Sequence, residues 1–293
     1  MDKTRYVYDM ALPLQALFFL ARPRRFGKSL LISTFEHLFK GHRELFKGLW
    51  IEQSDWQWKP HPVVKVDFST IAYDNPEELQ DNLLLHIHDI AEKHGIQNTD
   101  GFLAYRFSAL ITGLAKKYNE QVVVLIDEYD KPIIEHLGKG ESSLSVAKEN
   151  RNVLKSFLGT LKSGDVSSAL RFVFITGISK FARVSIFSDL NNLNDISMNK
   201  RYSTMLGYTE EELLSFFSEC ITQLSRETGM TNAELTKKIG RWYDGYRFTA
   251  LEKRVYNPFS VVRLFEAGEF ENFWFETATP SFLVNLIKEQ EYP

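Results

Sequence analysis

Gly27-Lys28-Ser29 and Asp127-Glu128 are the residues of this sequence best suited to chemistry on a phosphate. A phosphate loop needs a residue that turns sharply and lets backbone amides approach the anion, and glycine, lacking a Cβ, does this. The amides at the start of a following helix point at the anion, with the helix dipole behind them. Lys28 then supplies a point charge to the β- and γ-phosphates, and Ser29 a hydroxyl to Mg²⁺. A Gly-Lys-Ser/Thr tripeptide occurs by chance in roughly one chain in seven of this length, so its setting decides. Here it follows one apolar run and opens an apolar helix pattern, the context such a loop requires. The first glycine of the usual G-x-x-x-x-G-K-[ST] pattern is replaced by Arg22, and Pro23 biases Arg22 toward extended backbone. The expected cofactor-binding loop is Arg24, Arg25, Phe26, Gly27, Lys28, Ser29 and Leu30. Arg22, Arg24 and Arg25 are expected to contact phosphate oxygens in compensation. A solvated basic turn, or a patch for nucleic-acid phosphates, is the alternative for this segment.

The second group is the run Val122-Val123-Val124-Leu125-Ile126 ending in Asp127-Glu128. A carboxylate at the end of a buried strand beside a phosphate loop can hold Mg²⁺ directly or through water. A second carboxylate next to it can polarise the attacking water. Asp127 and Glu128 fit those two roles, against the bland reading of a core strand ending in solvated acids. Thr176 closes another apolar run, Arg171 to Thr176. It is a candidate to read a γ-phosphate or orient water, or merely a threonine bonding a strand-end turn.

These groups need a scaffold that brings strand ends together. Leu17 to Leu20, Val63 to Phe68, Val122 to Ile126 and Arg171 to Thr176 are strand-like, and helical patterns alternate with them over residues 29–40, 75–91, 102–117 and 148–162. Such alternation predicts βαβ units and a parallel sheet covered by helices. Val122 to Ile126 is unbroken, as expected of a strand buried on both faces. After about residue 205 helices dominate: Thr209-Glu210-Glu211-Glu212 and Thr231 to Glu234 are capping boxes, and Asn257-Pro258 and Thr279-Pro280 punctuate further helices. Leu213, Phe217, Cys220, Ile221 and Leu224 are expected to share one apolar face, with Cys220 in the core. The aromatic segment Trp242 to Phe248 is read as an Asp-Gly turn whose rings pack the second unit onto the first, or as a source of Arg241 or Arg247 that reaches the phosphates when the helical unit closes. The organisation predicted is 1–205 as an α/β core and 206–293 as a helical unit.

Composition narrows the classes. The chain has 293 residues, 44% of them hydrophobic and 14% aromatic, which excludes a disordered or collagenous chain. A net charge of -3 gives no global attraction to nucleic acid or anionic lipid. The single cysteine, Cys220, cannot close an intrachain disulfide, which fits a reducing, cytoplasmic setting. The apolar run Ala11 to Ala21 is about half a membrane span and leads into Arg22 rather than small residues, so a buried strand is expected there instead of a signal sequence. His86 and His88 are two apart and do not share a helix face, and no zinc spacing occurs.

The segments RPRRFGKSL (22–30), VVVLIDEYDKP (122–132), RFVFITGISKF (171–181), SIFSDLNNLNDIS (185–197), GYTEEEL (207–213), RWYDGYRF (241–248) and YNPFS (256–260) resemble those of the predicted AAA-ATPase-like family of bacterial proteins. The resemblance spans almost the whole chain, and the arginine in place of the first loop glycine is typical of that family. It implies a P-loop ATPase of the additional-strand class with a C-terminal helical lid, a Walker A loop at Gly27, Lys28 and Ser29, and a Walker B pair at Asp127 and Glu128. Members often carry a lead-in before the segment matching residues 2–4 and a restriction-endonuclease-like domain after it. No PD…(D/E)xK pattern follows residue 250, so nuclease activity is not expected, and a truncated or split member is. The combined expectation is ATP and Mg²⁺ as cofactors, with Glu128, Asp127, Lys28 and Thr176 catalytic and Ser29 and Asp127 on the metal. Hydrolysis would then drive a switch. A nucleotide-gated interaction or sensor module with negligible hydrolysis, with or without an association with nucleic acid, is the other reading. A protein or nucleic-acid partner and self-assembly stay open, and no membrane is expected.

Overall fold

The computed structural model describes residues 1–97, 100–180, 186, 187, 190 and 192–273. Five strands form one parallel sheet: β1 (Ala16–Ala21), β2 (Val63–Asp67), β3 (Val122–Asp127), β4 (Leu170–Gly177) and β5 (Asn194–Asp195), in the spatial order β2-β3-β4-β1-β5. Parallel neighbours need crossovers, which helices supply. α1 (Thr4–Ala11) precedes β1, and the connecting helices are α2 (Lys28–Phe39), α3 (Pro76–Lys93), α4 (Leu103–Tyr118), the single turn α5 (Lys131–Ile134), α6 (Glu141–Gly159) and α7 (Gly164–Ala169). β4 lies between the strand that feeds the Gly27 loop and the strand that ends in the acids.

The two-residue period of a strand explains why its apolar runs are continuous. Phe19 of β1, Val122, Val124 and Ile126 of β3, and Val173 and Ile175 of β4 point into the layer closed by α3, α4 and α6. The alternate residues Phe18, Leu20, Val123, Leu125, Phe172 and Phe174 point to the opposite layer, closed by α1 and α2. Leu79, Leu83, Ile87 and Ala91 are the buried stripe of α3, whose start is fixed by Asn75 accepting from the Glu78 amide at 2.8 Å with Pro76 in the first turn. Phe35 of α2 is fully buried against Phe172 and Phe174, with ring centroids 4.8 and 5.0 Å away.

Beyond the sheet come α8 (Glu210–Phe216), α9 (Ser218–Thr228), α10 (Asn232–Tyr243), the antiparallel pair β6 (Asp244–Arg247) and β7 (Arg254–Tyr256), and α11 (Pro258–Ala267). Both capping boxes form, at Thr209 with Glu212 and at Thr231 with Glu234. Leu213, Ile221, Leu224, Leu235, Ile239, Tyr243, Val261 and Leu264 gather in a third apolar cluster.

Several expectations change. The run Ala11 to Ala21 is not one strand: α1 ends at Ala11, Pro13 cannot continue it, Leu12 and Leu14 are exposed, and the strand starts at Ala16. Cys220 is exposed, not core, because the helix is interrupted at Phe217 (φ -111°, ψ 18°) and the second segment turns a different face inward. The Asp-Gly turn is instead strand β6. α6 begins at Glu141, earlier than expected, and a 3₁₀ turn covers Thr160–Lys162. The expected helix at Thr279-Pro280, Phe181, and positions 185, 188, 189 and 191 of the segment 185–197 lie outside the described residues. Among the described residues, no helix is long and apolar enough to cross a membrane.

Candidate nucleotide-binding site

The loop of residues 22–27 leaves the end of β1 and enters α2 through Gly27, whose φ of 87° is the left-handed region that glycine reaches without strain. No side chain caps the start of α2, so the first-turn amides of Lys28, Ser29 and Leu30 suit an anion. Lys28 is the first helical residue and is 5% exposed. Its Nζ reaches back over the loop and donates to the carbonyls of Arg22 and Pro23, both at 3.1 Å. Burial pushes its pKa down, opposed by the charges of Asp127, Glu128 and Asp130. A buried lysine held by carbonyls and faced by three carboxylates is poised to pair with a stronger anion.

β3 delivers Asp127, 2% exposed, to the same end of the sheet. Its Oδ1 accepts from the Glu128 amide at 3.0 Å and from the Thr176 hydroxyl at 2.5 Å. Among the described residues no donor bonds Oδ2, which leaves a hard oxygen of the kind Mg²⁺ prefers. Glu128 has φ of 51°, a conformation that costs a non-glycine residue of order 1 kcal/mol and that persists where the surroundings fix it. That backbone turn separates the directions of the two acids. The Glu128 carboxylate stands 3.7 Å from Lys131 Nζ.

Thr176 is fully buried at the end of β4 and donates to Asp127, so it is set against the acid and does not face open solvent. Next to it, Gly177 packs against the turn after β3: a Cβ there would lie 2.5 Å from Tyr129 Cε1 and 2.6 Å from Asp130 Oδ1.

Ser29, Leu30, Gly27, Arg24, Arg25, Lys28, Glu128, Lys131 and Glu135 line a cleft of about 400 Å³. Four cationic side chains meet two carboxylates in it, the balance an anion requires. Arg25 has φ of 65° and lies over the Phe259 ring at 4.8 Å, while Arg24 pairs with Glu135 at 3.4 Å. A larger cavity of about 610 Å³ shares Gly27 and Leu30 with this cleft and is lined by Val7, Phe46, Met205 and Leu206 among others.

Two sequence expectations need correction here. Arg22 does not reach the cleft: it is 1% exposed, donates to the carbonyls of Ala21 (3.0 Å), Ser197 (2.6 Å) and Tyr202 (3.3 Å), and lies 3.9 Å from the Phe248 ring centroid. It anchors the loop from behind, which also removes it from any basic surface patch. Phe26 does not line this cleft: its buried ring packs on Tyr246 and Phe248 at 4.7 and 5.5 Å, and the residue borders the larger cavity instead. Arg241 and Arg247, expected to reach the phosphates when the helical unit closes, lie outside the lining of this cleft. The rings of the 242–248 segment do join the C-terminal elements to the loop.

Sequence reasoning missed Asp130. It is fully buried and accepts from the amides of Ile178 (3.0 Å) and Ser179 (2.8 Å), tying the turn after β3 to the end of β4. Burial pushes its pKa up to about 6 against the lowering effect of those bonds. The available signal was a third acid three residues past the strand end, inside the segment VVVLIDEYDKP.

A parallel sheet in this order, with a glycine loop entering a helix beside a strand-end acid pair, has the P-loop NTPase fold. The chain belongs to the predicted AAA-ATPase family, whose profile matches residues 1–187. It is 39% identical over 297 aligned residues to the uncharacterized protein in the vnfD 5′ region of Azotobacter chroococcum mcd 1, covering 99% of this chain and 54% of that one. The chain thus spans about half the length of the curated relative it matches. Among solved structures, a Walker-type ATPase of Pyrococcus abyssi aligns over 99% of this chain and 73% of its own, with 15% identity and a TM-score of 0.44.

Proposed function

We propose that this chain binds ATP with Mg²⁺ and hydrolyses the β–γ phosphoanhydride, and that nucleotide occupancy acts as a switch on the C-terminal helical unit. One observation carries the reading: buried Lys28, at an uncapped helix start, meets Asp127 and Glu128 from a strand far away in sequence. The amides of the loop and Lys28 bind the phosphates. The exposed Ser29 hydroxyl and Asp127 Oδ2 are oxygen donors that fit Mg²⁺, which when bound neutralises phosphate charge. Thr176 holds Asp127 in place. Glu128 accepts the proton of the attacking water, and Arg25 and Lys131 stabilise charge on the phosphates. The cavity that meets the cleft at Gly27 receives the nucleoside. In this reading residues 1–205 are the nucleotide-handling core and 206–293 the unit that responds.

The pairing of Glu128 with Lys131 favours a second reading, in which nucleotide is bound and hydrolysed negligibly. Mg-ATP turnover and ATP affinity of the wild type, Lys28→Ala and Glu128→Gln separate the two. Hydrolysis requires turnover that both substitutions abolish, with Glu128→Gln still binding ATP. Tight Lys28-dependent binding without turnover supports the sensor. Wild-type turnover that survives in Glu128→Gln removes that residue from the mechanism.

A further inference from the structure

A second cleft borders the other end of the parallel sheet. The loop and the acids follow the C-terminal ends of β1 and β3, whereas a separate cleft of about 580 Å³ borders Val63, where β2 starts, and Glu120, just before β3. It therefore lies at the opposite edge of the sheet from Lys28. Lys40, Lys59, Lys65 and Lys93 line it, against Glu36 and Glu120.

Both carboxylates are already engaged. Glu36 bridges Lys40 at 2.6 Å and Lys65 at 3.2 Å, and Glu120 pairs with Lys59 and stands 3.7 Å from His61. Two positive charges are left over, and among the described residues Lys93 has no ion-pair partner. Lysines at helix C-termini are ordinary companions of the helix dipole, which accounts for Lys40 and Lys93 at the ends of α2 and α3. It does not account for Lys59, on the segment before β2, or Lys65, within β2.

The histidines record the same field. His94 faces Lys93, Lys117 and Lys40 and bonds the Tyr118 hydroxyl at 2.8 Å. His61 faces Lys59, Arg171 and Glu120 and bonds the Gln121 carbonyl at 2.9 Å. Burial first, and then Lys93, Lys117 and Lys40, push the His94 imidazole below its ordinary pKa. Burial also pushes His61 down, with Arg171 and Lys59 adding to it and the Gln121 carbonyl and Glu120 opposing it. An anion in the cleft would relieve that pressure and place imidazole N–H groups beside ammonium donors, the point-charge donors that suit phosphate.

We propose that this cleft is a second anion site, for a small ligand carrying a di- or polyphosphate group, distinct from the nucleotide cleft. The bounded concavity and the two carboxylates within it argue against an extended nucleic-acid backbone.

The test follows the ring protons of His61 and His94 by NMR while inorganic pyrophosphate is added to Lys28→Ala protein, so that the nucleotide cleft does not contribute. Saturable shifts are expected, with both pKa values rising by about half a unit or more. Affinity should fall at least about tenfold in Lys93→Gln and further in Lys40→Gln/Lys93→Gln. Lys93 makes no ion pair among the described residues, so its replacement leaves the fold intact. Unmoved His61 and His94 resonances at millimolar pyrophosphate would overturn the site. So would a single-stranded oligonucleotide that binds more tightly than pyrophosphate with a steep salt dependence, which would mark a nucleic-acid surface. Neither readout depends on ATP turnover, so the nucleotide reading and this one fail separately.

Discussion

Arg22 and Phe248 offer a direct measurement of how the phosphate loop is joined to the C-terminal elements. The guanidinium is 1% exposed, with three carbonyls as acceptors and its Nε without a partner among the described residues. Burial pushes its pKa down to about 10. That displacement from the ordinary value near 12.5 corresponds to about 3 kcal/mol favouring the neutral form, so the carbonyls alone do not offset the cost of burying the charge. The charge of Asp195 offsets part of that cost. The Phe248 face, 3.9 Å away, is a further favourable contact, and a desolvated cation–π pair contributes about 2 kcal/mol. Arg22→Met, Phe248→Leu and the double variant form a cycle read by urea unfolding. Phe248→Leu keeps an apolar side chain but loses the ring quadrupole, and should destabilise by about 2 kcal/mol. Arg22→Met leaves buried carbonyls without donors and should cost about 3 kcal/mol or more. The coupling energy should be about 1–2 kcal/mol. Additivity within about 0.5 kcal/mol would show that the ring merely occupies space beside the arginine, and the coupling would have to be sought at Phe26 instead.

The remaining predictions concern the acids and the core. Thr176→Val removes the hydroxyl that positions Asp127. It should weaken Mg²⁺ dependence of nucleotide binding several-fold while costing about 1–2 kcal/mol of stability, and an unchanged magnesium titration would count against a positioning role. Asp130, raised to about 6 from about 3.9 in the unfolded chain, binds its proton more tightly when folded. Its stabilisation is therefore complete below pH of about 4 and lost as pH rises through about 6, a fall of up to about 3 kcal/mol. Asp130→Asn should flatten that interval in unfolding curves measured across pH, and parallel curves would refute the assignment. Phe35→Ala, which empties the junction of α2 with Phe172 and Phe174, should cost about 3–5 kcal/mol by chemical denaturation.

Much of this arrangement was legible because strand periodicity and helix punctuation are local. The unbroken Val122 to Ile126 could only be a strand covered on both faces, and Gly27 before an apolar helix had one natural conformation. Asn75-Pro76 and the two capping boxes marked helix starts directly. What was not legible depends on partners distant in sequence. Arg22 reads as a phosphate ligand until the carbonyls of Ser197 and Tyr202 and the ring of Phe248 are seen around it. Asp130 looks like another solvated acid until the amides of Ile178 and Ser179 close on it. Cys220 has helix-face spacing with Leu213 and Ile221, but the interruption at Phe217 breaks that periodicity. α1 was hidden because its apolar residues run into those of β1, with only Pro13 and Gln15 interrupting the run from Ala11 to Ala21.

The contact at Gly177 has a consequence for how this sequence can diverge. A methyl group there would overlap the Tyr129 ring and the Asp130 carboxylate, and the turn holding both begins at Glu128. A larger residue at 177 cannot be absorbed locally, because the same two amides that follow it are the ones bonded to Asp130. Positions 129, 130 and 177 are thus free to drift only together. In lineages that keep an aromatic residue at 129 and an acid at 130, glycine should persist at 177; where it is lost, the pair facing it should have changed as well.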